Sequence, residues 1–280
     1  MVLANHVVSW NPSFKIKLEY THYYLRREYM VADNNTLNGK VVLITGAAHR
    51  IGAATARLLH RAGANIVLHY RNSAEGARTL ADELNALRAD SVNLLQGDLL
   101  DVTNLPQLVA KAYALWGRLD VLINNASTFY PTPIGSVGEE QWNDLMGTNL
   151  KAPFFLSQAA AAHLKAERGS IINIVDIHAD QPLREHPIYS MAKAGLVMMT
   201  KSLAAELGPE VRVNGIAPGA ILWPENDMDD TIKSKILERT FLKRQGNPQD
   251  IARAALFLIR DADYTTGNIL KVDGGRSLNS

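Results

Sequence analysis

The chain has no cysteine. That excludes a disulfide framework, a thiol nucleophile and any cysteine-based metal centre, and it fits a reducing compartment. Long apolar runs are missing as well: no stretch reaches the roughly 18 residues a membrane-spanning helix requires. Neither sign of charge is in excess. Lys and Arg total 29 against 28 for Asp and Glu, so neither a nucleic-acid-binding face nor an acidic tail is expected. His49, His69 and His178 lack ligand-like spacing, and no metal site is expected. The opening segment, Met1 to Ser9, is apolar but has no basic start and no small-residue cleavage site, so no secretory signal is expected. These absences point to a cytoplasmic protein with no membrane or nucleic-acid partner.

What is present is a chain of 280 residues, 47% apolar, long enough to bury one substantial core. Residues 1–36 stand apart as an N-terminal extension. They hold Trp10, Tyr20, Tyr23, Tyr24, Tyr29, Arg26 and Arg27 with no sustained period of two or 3.6. Three readings stay open: an arm that docks on a neighbouring subunit, an amphipathic segment at a membrane surface, or a chain whose true start is Met30.

From Lys40 onward, short apolar runs alternate with helical patterns, and no repeat, low-complexity tract or linker interrupts them. The runs Val41–Thr45, Asn65–Tyr70, Val92–Gln96, Val121–Asn124, Ser170–Val175, Val211–Ile216 and Asn268–Val272 read as strands. The patterns Ala53–Arg61, Glu75–Arg88, Leu105–Trp116, Glu139–Met146, Asn149–Leu164, Ile188–Leu207 and Pro248–Ile259 read as helices, with Met191, Met198 and Met199 as core of the long one. Near-continuous apolar strands alternating with helices predict a single α/β domain over residues 37–280, a doubly wound parallel sheet with helices on both faces. Ligands then bind beyond the carboxyl ends of the strands.

Between the first strand and the first helix lies Thr45-Gly46-Ala47-Ala48-His49-Arg50-Ile51-Gly52. Alone, two glycines make a plain tight turn as readily as a binding loop. After a strand and before a helix, they let a pyrophosphate approach the helix N-terminus. The second strand ends in His69-Tyr70-Arg71-Asn72-Ser73, where an NAD site places a carboxylate for the ribose hydroxyl. None is there. Arg71 and Ser73 suit a 2′-phosphate instead, with Arg50 adding charge, and NADPH is the expected cofactor; a solvated loop arginine is the competing reading. Asp98-Leu99 is placed for the adenine, and Asn125-Ala126 for the cofactor channel.

Tyr189 and Lys193 are four residues apart in a helical pattern, on one face and roughly 5–6 Å apart at Cβ. An ammonium that close is expected to lower the phenol pKa from about 10 toward working pH. Such a phenol gives a proton while a reduced cofactor gives a hydride. Asp176 ends an apolar run thirteen residues before the tyrosine.

These motifs resemble the short-chain dehydrogenase/reductase family, with its Rossmann-type sheet, over about residues 38–280. The resemblance rests on Thr45-Gly46…Arg50-Ile51-Gly52, Asn124-Asn125-Ala126, Asn149, Tyr189…Lys193, Pro218-Gly219 and Asp273-Gly274-Gly275, in the family's order. Three features look more narrowly like pteridine reductases. Ser127 and Phe129 follow Asn124-Asn125-Ala126 where most of the family has glycine, and Phe129 offers a ring on which a pterin stacks. Asp176 stands where most relatives carry a serine that holds a carbonyl oxygen, and a carboxylate suits a substrate rich in N–H groups. Arg50 resembles the arginine those enzymes use near both phosphate and pterin.

The resemblance implies hydride transfer from NADPH to a C=N bond of a pterin or folate. It assigns proton relay to Tyr189, support of Tyr189 and the ribose to Lys193, and a hydrogen bond to tyrosine and pterin to Asp176. Asn149 bends its helix and places a water in the relay toward Lys193. The cofactor set it implies is Gly46, His49, Arg50, Ile51, Tyr70, Arg71, Asn72, Ser73, Asp98, Leu99, Asn125, Ala126, Ser127, Tyr189, Lys193, Pro218 and Gly219. The substrate set is Arg50, Ser127, Phe129, Asp176 and Tyr189. Residues 221–228 would form a lid, and family members commonly form homotetramers. The competing readings are a keto or 3-oxoacyl reductase and, from another class, a non-catalytic NADPH-sensing protein. At residue level, Phe129 as ordinary core and Asp176 as a cap of the next segment compete with their functional roles.

Overall fold

Every strand of the sheet is short, and the central ones are mostly apolar and buried because helices cover both faces. The computed structural model describes residues 37–223 and 229–279. The seven strands are β1 (Val41–Ile44), β2 (Asn65–Tyr70), β3 (Val92–Gln96), β4 (Val121–Asn124), β5 (Ser170–Ile174), β6 (Arg212–Pro218) and β7 (Ile269–Val272). They form one parallel sheet in the order β3-β2-β1-β4-β5-β6-β7. The expected doubly wound α/β fold is therefore observed. Chain order reverses between β1 and β4, which opens a crevice at their carboxyl ends.

Alternation along β1 shows why its run is continuously apolar. Val42 and Ile44 enter one core with Ile66, Leu68, Leu59 and Leu258. Val41 and Leu43 enter the opposite core with Val67, Leu156 and Val213. Successive side chains point to opposite faces, and both faces are dry. The β1–β4 pair is fixed at its entry by Asp120. Its buried carboxylate accepts from the Val41 N–H at 2.9 Å and from Arg118 Nη2 at 2.7 Å and Lys40 Nζ at 3.1 Å. Burial opposes ionisation there, but those donors outweigh it and hold the carboxyl below the usual range.

The eight α-helices among the described residues are α1 (Arg50–Arg61), α2 (Ala74–Leu87), α3 (Leu105–Ala114), α4 (Glu139–Met146), α5 (Ala152–Ala166), α6 (Pro187–Leu207), α7 (Asp230–Glu238) and α8 (Pro248–Arg260). Helix α1 starts at Arg50 rather than at the expected Ala53, so the end of the glycine turn is already helical. A wide π-type turn over Gly147–Lys151 joins α4 to α5 where the pattern suggested a helix start at Asn149. Helix α7 lies outside the predicted helices; none of its residues is buried, and its apolar Ile232, Ile236 and Leu237 stay partly or largely exposed. In α6 only Met199 of the three methionines is buried; Met191 and Met198 are exposed, against the expectation. No helix among the described residues is long and apolar enough to cross a membrane. The N-terminal extension and most of the expected lid, residues 224–228, lie outside the described residues.

Candidate active site

The crevice is built first by the ends of β1 and β4. Gly46 adopts φ +61°, and a Cβ there would lie 2.9 Å from the Ala126 Cα. Only glycine fits both demands. The Thr45 hydroxyl oxygen accepts the N–H groups of Asn125 at 2.9 Å and Ala126 at 3.0 Å. The Asn125 amide donates back to the carbonyls of Thr45 at 2.9 Å and Gly46 at 3.0 Å. The two loops are thus one rigid wall.

Helix α1 begins beneath this wall. His49 provides no side-chain cap, and no acidic residue occupies the first turn. The amino-terminal N–H groups of a helix and its dipole suit a phosphate. Arg50 is held at φ +54°, a strained value for a non-glycine residue, and its Nη2 donates to the Trp223 carbonyl at 3.4 Å, where the lid begins. The His49 ring lies so close to Gly76 that a Cβ there would clash at 2.1 Å, so the start of α2 packs on the glycine turn. At the end of β2, Arg71 is half-exposed and its ion pair to Asp98 is long, at 3.8 Å. Leu99 is buried beside Asp98. Gly219, after β6, donates its N–H to the Val272 carbonyl at 3.1 Å.

Tyr189, Asp176 and Lys193 come together as the sequence suggests. The Tyr189 hydroxyl donates to Asp176 Oδ2 at 2.9 Å. The other Asp176 oxygen accepts the His178 N–H at 2.9 Å, so Asp176 both caps the turn Ile177–Ala179 and holds the tyrosine. Lys193 is fully enclosed. Its Nζ donates to the Ile174 carbonyl at 3.0 Å and sits 5.6 Å from the centre of the Tyr189 ring. Burial lowers the Lys193 pKa to about 8, with the Asp176 charge opposing.

The expected direction of the Tyr189 pKa is wrong. Burial and then the Asp176 carboxylate raise it well above the ordinary tyrosine value. The carboxylate is in direct hydrogen-bond contact with the hydroxyl, whereas the ammonium bonds to a backbone carbonyl, so the nearer negative charge wins. The Tyr189 phenol is a held proton.

Asn149, in the wide turn, bonds to Leu145 O at 2.9 Å and Thr128 O at 3.0 Å, and accepts from the Ser127 hydroxyl at 2.6 Å. It lies within the wide α4–α5 turn and holds Ser127, whose hydroxyl also bears on Tyr189.

Phe129 is 50% exposed and so is no core residue. Its ring meets Tyr189 edge-on at 4.8 Å and 78°, and stacks on His186 at 4.6 Å and 12°. His186 is one of three residues that sequence reading missed. A second is Arg276, on the carboxyl-terminal turn Arg276–Leu278. That turn is docked on the loop after Asp176 by Gln181 Nε2 donating to Ser277 O at 2.7 Å, and the same loop is tied to β7 by a 2.8 Å Lys271–Asp180 ion pair. Arg276 is half-buried and feels the Asp176 charge. The third is His69, at the end of β2. Their one-dimensional signals are weak: each is a single polar residue next to a motif. No cluster of three metal-ligating side chains occurs among the described residues.

This crevice and this Tyr–Lys pair define a dinucleotide-dependent oxidoreductase of the Rossmann type, and comparison with known proteins agrees. The family described as Enoyl-(Acyl carrier protein) reductase matches residues 46–277. Pteridine reductase 1 of Leishmania tarentolae is 39% identical over 279 residues, covering 85% of this chain and 96% of that protein. The 3-oxoacyl-(acyl-carrier-protein) reductase of Staphylococcus aureus strain Mu50 is 33% identical over 240 residues, covering 84% and 97%. The enzyme of that name from Thermotoga maritima is 34% identical over 243 residues, covering 85% and 98%. The chain belongs to the short-chain dehydrogenase/reductase family and is an oxidoreductase that uses a nicotinamide cofactor.

Proposed function

We propose that this protein is an NADPH-dependent pteridine reductase that reduces a C=N bond of a pterin or folate. The observation that carries the reading is the Tyr189 hydroxyl held by Asp176 at 2.9 Å beside the half-exposed ring of Phe129. A carboxylate there accepts hydrogen bonds and cannot donate one to a ketone oxygen. It matches the N–H-rich edge of a pterin, and Phe129 supplies an aromatic wall. The similarity to a pteridine reductase at 39% identity supports the same reading.

The residues present fit NADPH. Gly46, His49, Arg50 and Ile51 line the uncapped start of α1 for the pyrophosphate. Tyr70, Arg71, Asn72 and Ser73 present a cation and hydroxyl, and no carboxylate, for the 2′-phosphate. Asp98 and Leu99 face the adenine end, and Asn125, Ala126, Ser127, Pro218 and Gly219 the nicotinamide end. When bound, the cofactor supplies the hydride.

The chain's own groups handle the proton. Tyr189 stays protonated through neutral pH and gives its proton to the ring nitrogen. Asp176 fixes the phenol and accepts from the substrate edge. Lys193, buried and cationic below about pH 8, balances the negative charge left on the Tyr189–Asp176 pair. Ser127 and Asn149 orient the phenol from the opposite side, and Arg50 closes the substrate space toward Trp223.

The reductase domain spans residues 37–280, with residues 1–36 as an extension. A homotetramer is the assembly that family membership suggests, and exposed Phe154, Met191 and Met198 on α5 and α6 and Phe241 near the β7 edge leave apolar surface for self-association. The test is oxidation of NADPH with dihydrobiopterin, dihydrofolate and a panel of small ketones and 3-oxoacyl thioesters. Turnover of pterins is expected; turnover of carbonyl compounds alone overturns the pterin assignment.

A further inference from the structure

Strand β2 lies between β3 and β1 in the sheet, so a side chain at its carboxyl end reaches both neighbours. His69 does so. It is 2% exposed. Its Nδ1 lies 3.3 Å from the Gly46 N–H, and its Nε2 lies 3.1 Å from the Gly97 carbonyl. The first contact needs an acceptor and the second a donor, which fixes the neutral Nε2–H tautomer. The backbone reinforces both arms: the His69 carbonyl accepts the Ala47 N–H at 2.9 Å, and the Tyr70 carbonyl accepts the Gly97 N–H at 3.1 Å.

The residues around this bridge carry the three ends of a dinucleotide site. Gly46 opens the pyrophosphate turn. Arg71 and Ser73 follow His69 by two and four residues. Asp98 follows Gly97. We propose that His69 is the positioning residue of the cofactor site, a hydrogen-bonded strut that sets the glycine turn against the adenine and ribose-phosphate loops. An apolar residue of the same size fills the space but makes neither bond. Burial keeps the imidazole neutral, with its pKa lowered to about 4, so the acceptor at Nδ1 persists across the working range. The inference rests on the cofactor reading of this crevice and is independent of the substrate.

The test compares wild type with His69→Phe and His69→Asn for NADPH Kd by fluorescence titration, for KM and kcat, and for Tm. Losing the strut is expected to raise Kd and KM for NADPH about tenfold in His69→Phe, the worth of roughly one hydrogen bond, with kcat changed less than about twofold. In His69→Asn the side-chain oxygen takes the place of Nδ1 and accepts from Gly46, so Kd returns to within about threefold of wild type. Unchanged NADPH affinity in both variants, with a lowered Tm, makes His69 structural only and overturns the proposal. Equal weakening in both variants also overturns it, because supplying an acceptor for the Gly46 N–H then restores nothing. Should the phenylalanine variant not fold, His69→Leu replaces it as the variant without an acceptor: about a tenfold loss against near-wild-type affinity in His69→Asn supports the strut, and unchanged affinity in both refutes it. Wild type that binds neither NADPH nor NADH would instead remove the cofactor reading beneath the proposal.

Discussion

Tyr189 sits between a part-buried carboxylate and a buried ammonium, and the balance between them sets what it does. The carboxylate dominates, so the phenol holds its proton. Replacing Tyr189 by Phe removes the donor and nothing that touches the cofactor turn. NADPH binding should persist by titration, while kcat falls about 10²–10⁴-fold, the usual worth of a general acid. Lys193 is protonated below its lowered pKa of about 8 and neutral above it. Turnover should therefore fall as pH rises through about 8, and the pH profile of Lys193→Arg should lose that limb because guanidinium stays charged. Phe129→Ala removes an exposed aromatic wall; KM for the pterin should rise about fivefold and KM for NADPH little, since one stacking contact is worth about a kcal/mol. Equal effects on the two KM values would refute the stacking role. The residue-level error in the sequence reading is instructive here. A spacing of four shows the lysine, but the carboxylate reaches Tyr189 from the end of another strand, and no local pattern weighs the two.

At the scale of elements, the strands were the most legible part of the chain. β2, β3 and β4 begin and end where the sequence runs read as strands do, because short runs dominated by buried apolar residues stand out between helical patterns. Helix ends were less legible. The start of α1 falls on Arg50 in a left-handed conformation that no propensity suggests. Helix α7 carries only a short apolar stripe, Ile232, Ile236 and Leu237, and fully buries none of it. The Asn149 turn was read as a bend, yet its link to Ser127 is visible only in three dimensions. One glycine joins the fold to the site at this scale. A Cβ on Gly52 would lie 2.7 Å from both Asn125 Nδ2 and the Gly46 carbonyl. Gly52→Ala should push α1 off the β1–β4 wall, costing about 1–3 kcal/mol in urea unfolding and weakening NADPH binding as well. A stability loss with unchanged NADPH affinity would show that wall and binding turn are uncoupled.

For the whole molecule, His69 ties stability to acid. Its pKa is about 4 in the fold against 6.5 in an open chain. Between those values the unfolded state binds a proton that the folded state refuses, so stability rises with pH across that window and is lost as pH falls from 6.5 to 4. The full loss is about 3 kcal/mol, and His69→Phe should flatten it in urea titrations run at each pH. The larger claim is that one doubly wound domain, shared with carbonyl reductases that are 33% and 34% identical, has been turned toward pterins by Asp176 and Phe129. The most direct test is the ratio of kcat/KM for dihydrobiopterin to that for a 3-oxoacyl thioester, measured in wild type and in Asp176→Ser. Wild type should favour the pterin, and the serine variant should lose that preference by about a hundredfold, the scale set by an unpaired polar contact in a reacting site. A wild-type enzyme that turns over only the carbonyl substrate, or a ratio that Asp176→Ser leaves unchanged, would contradict the assignment.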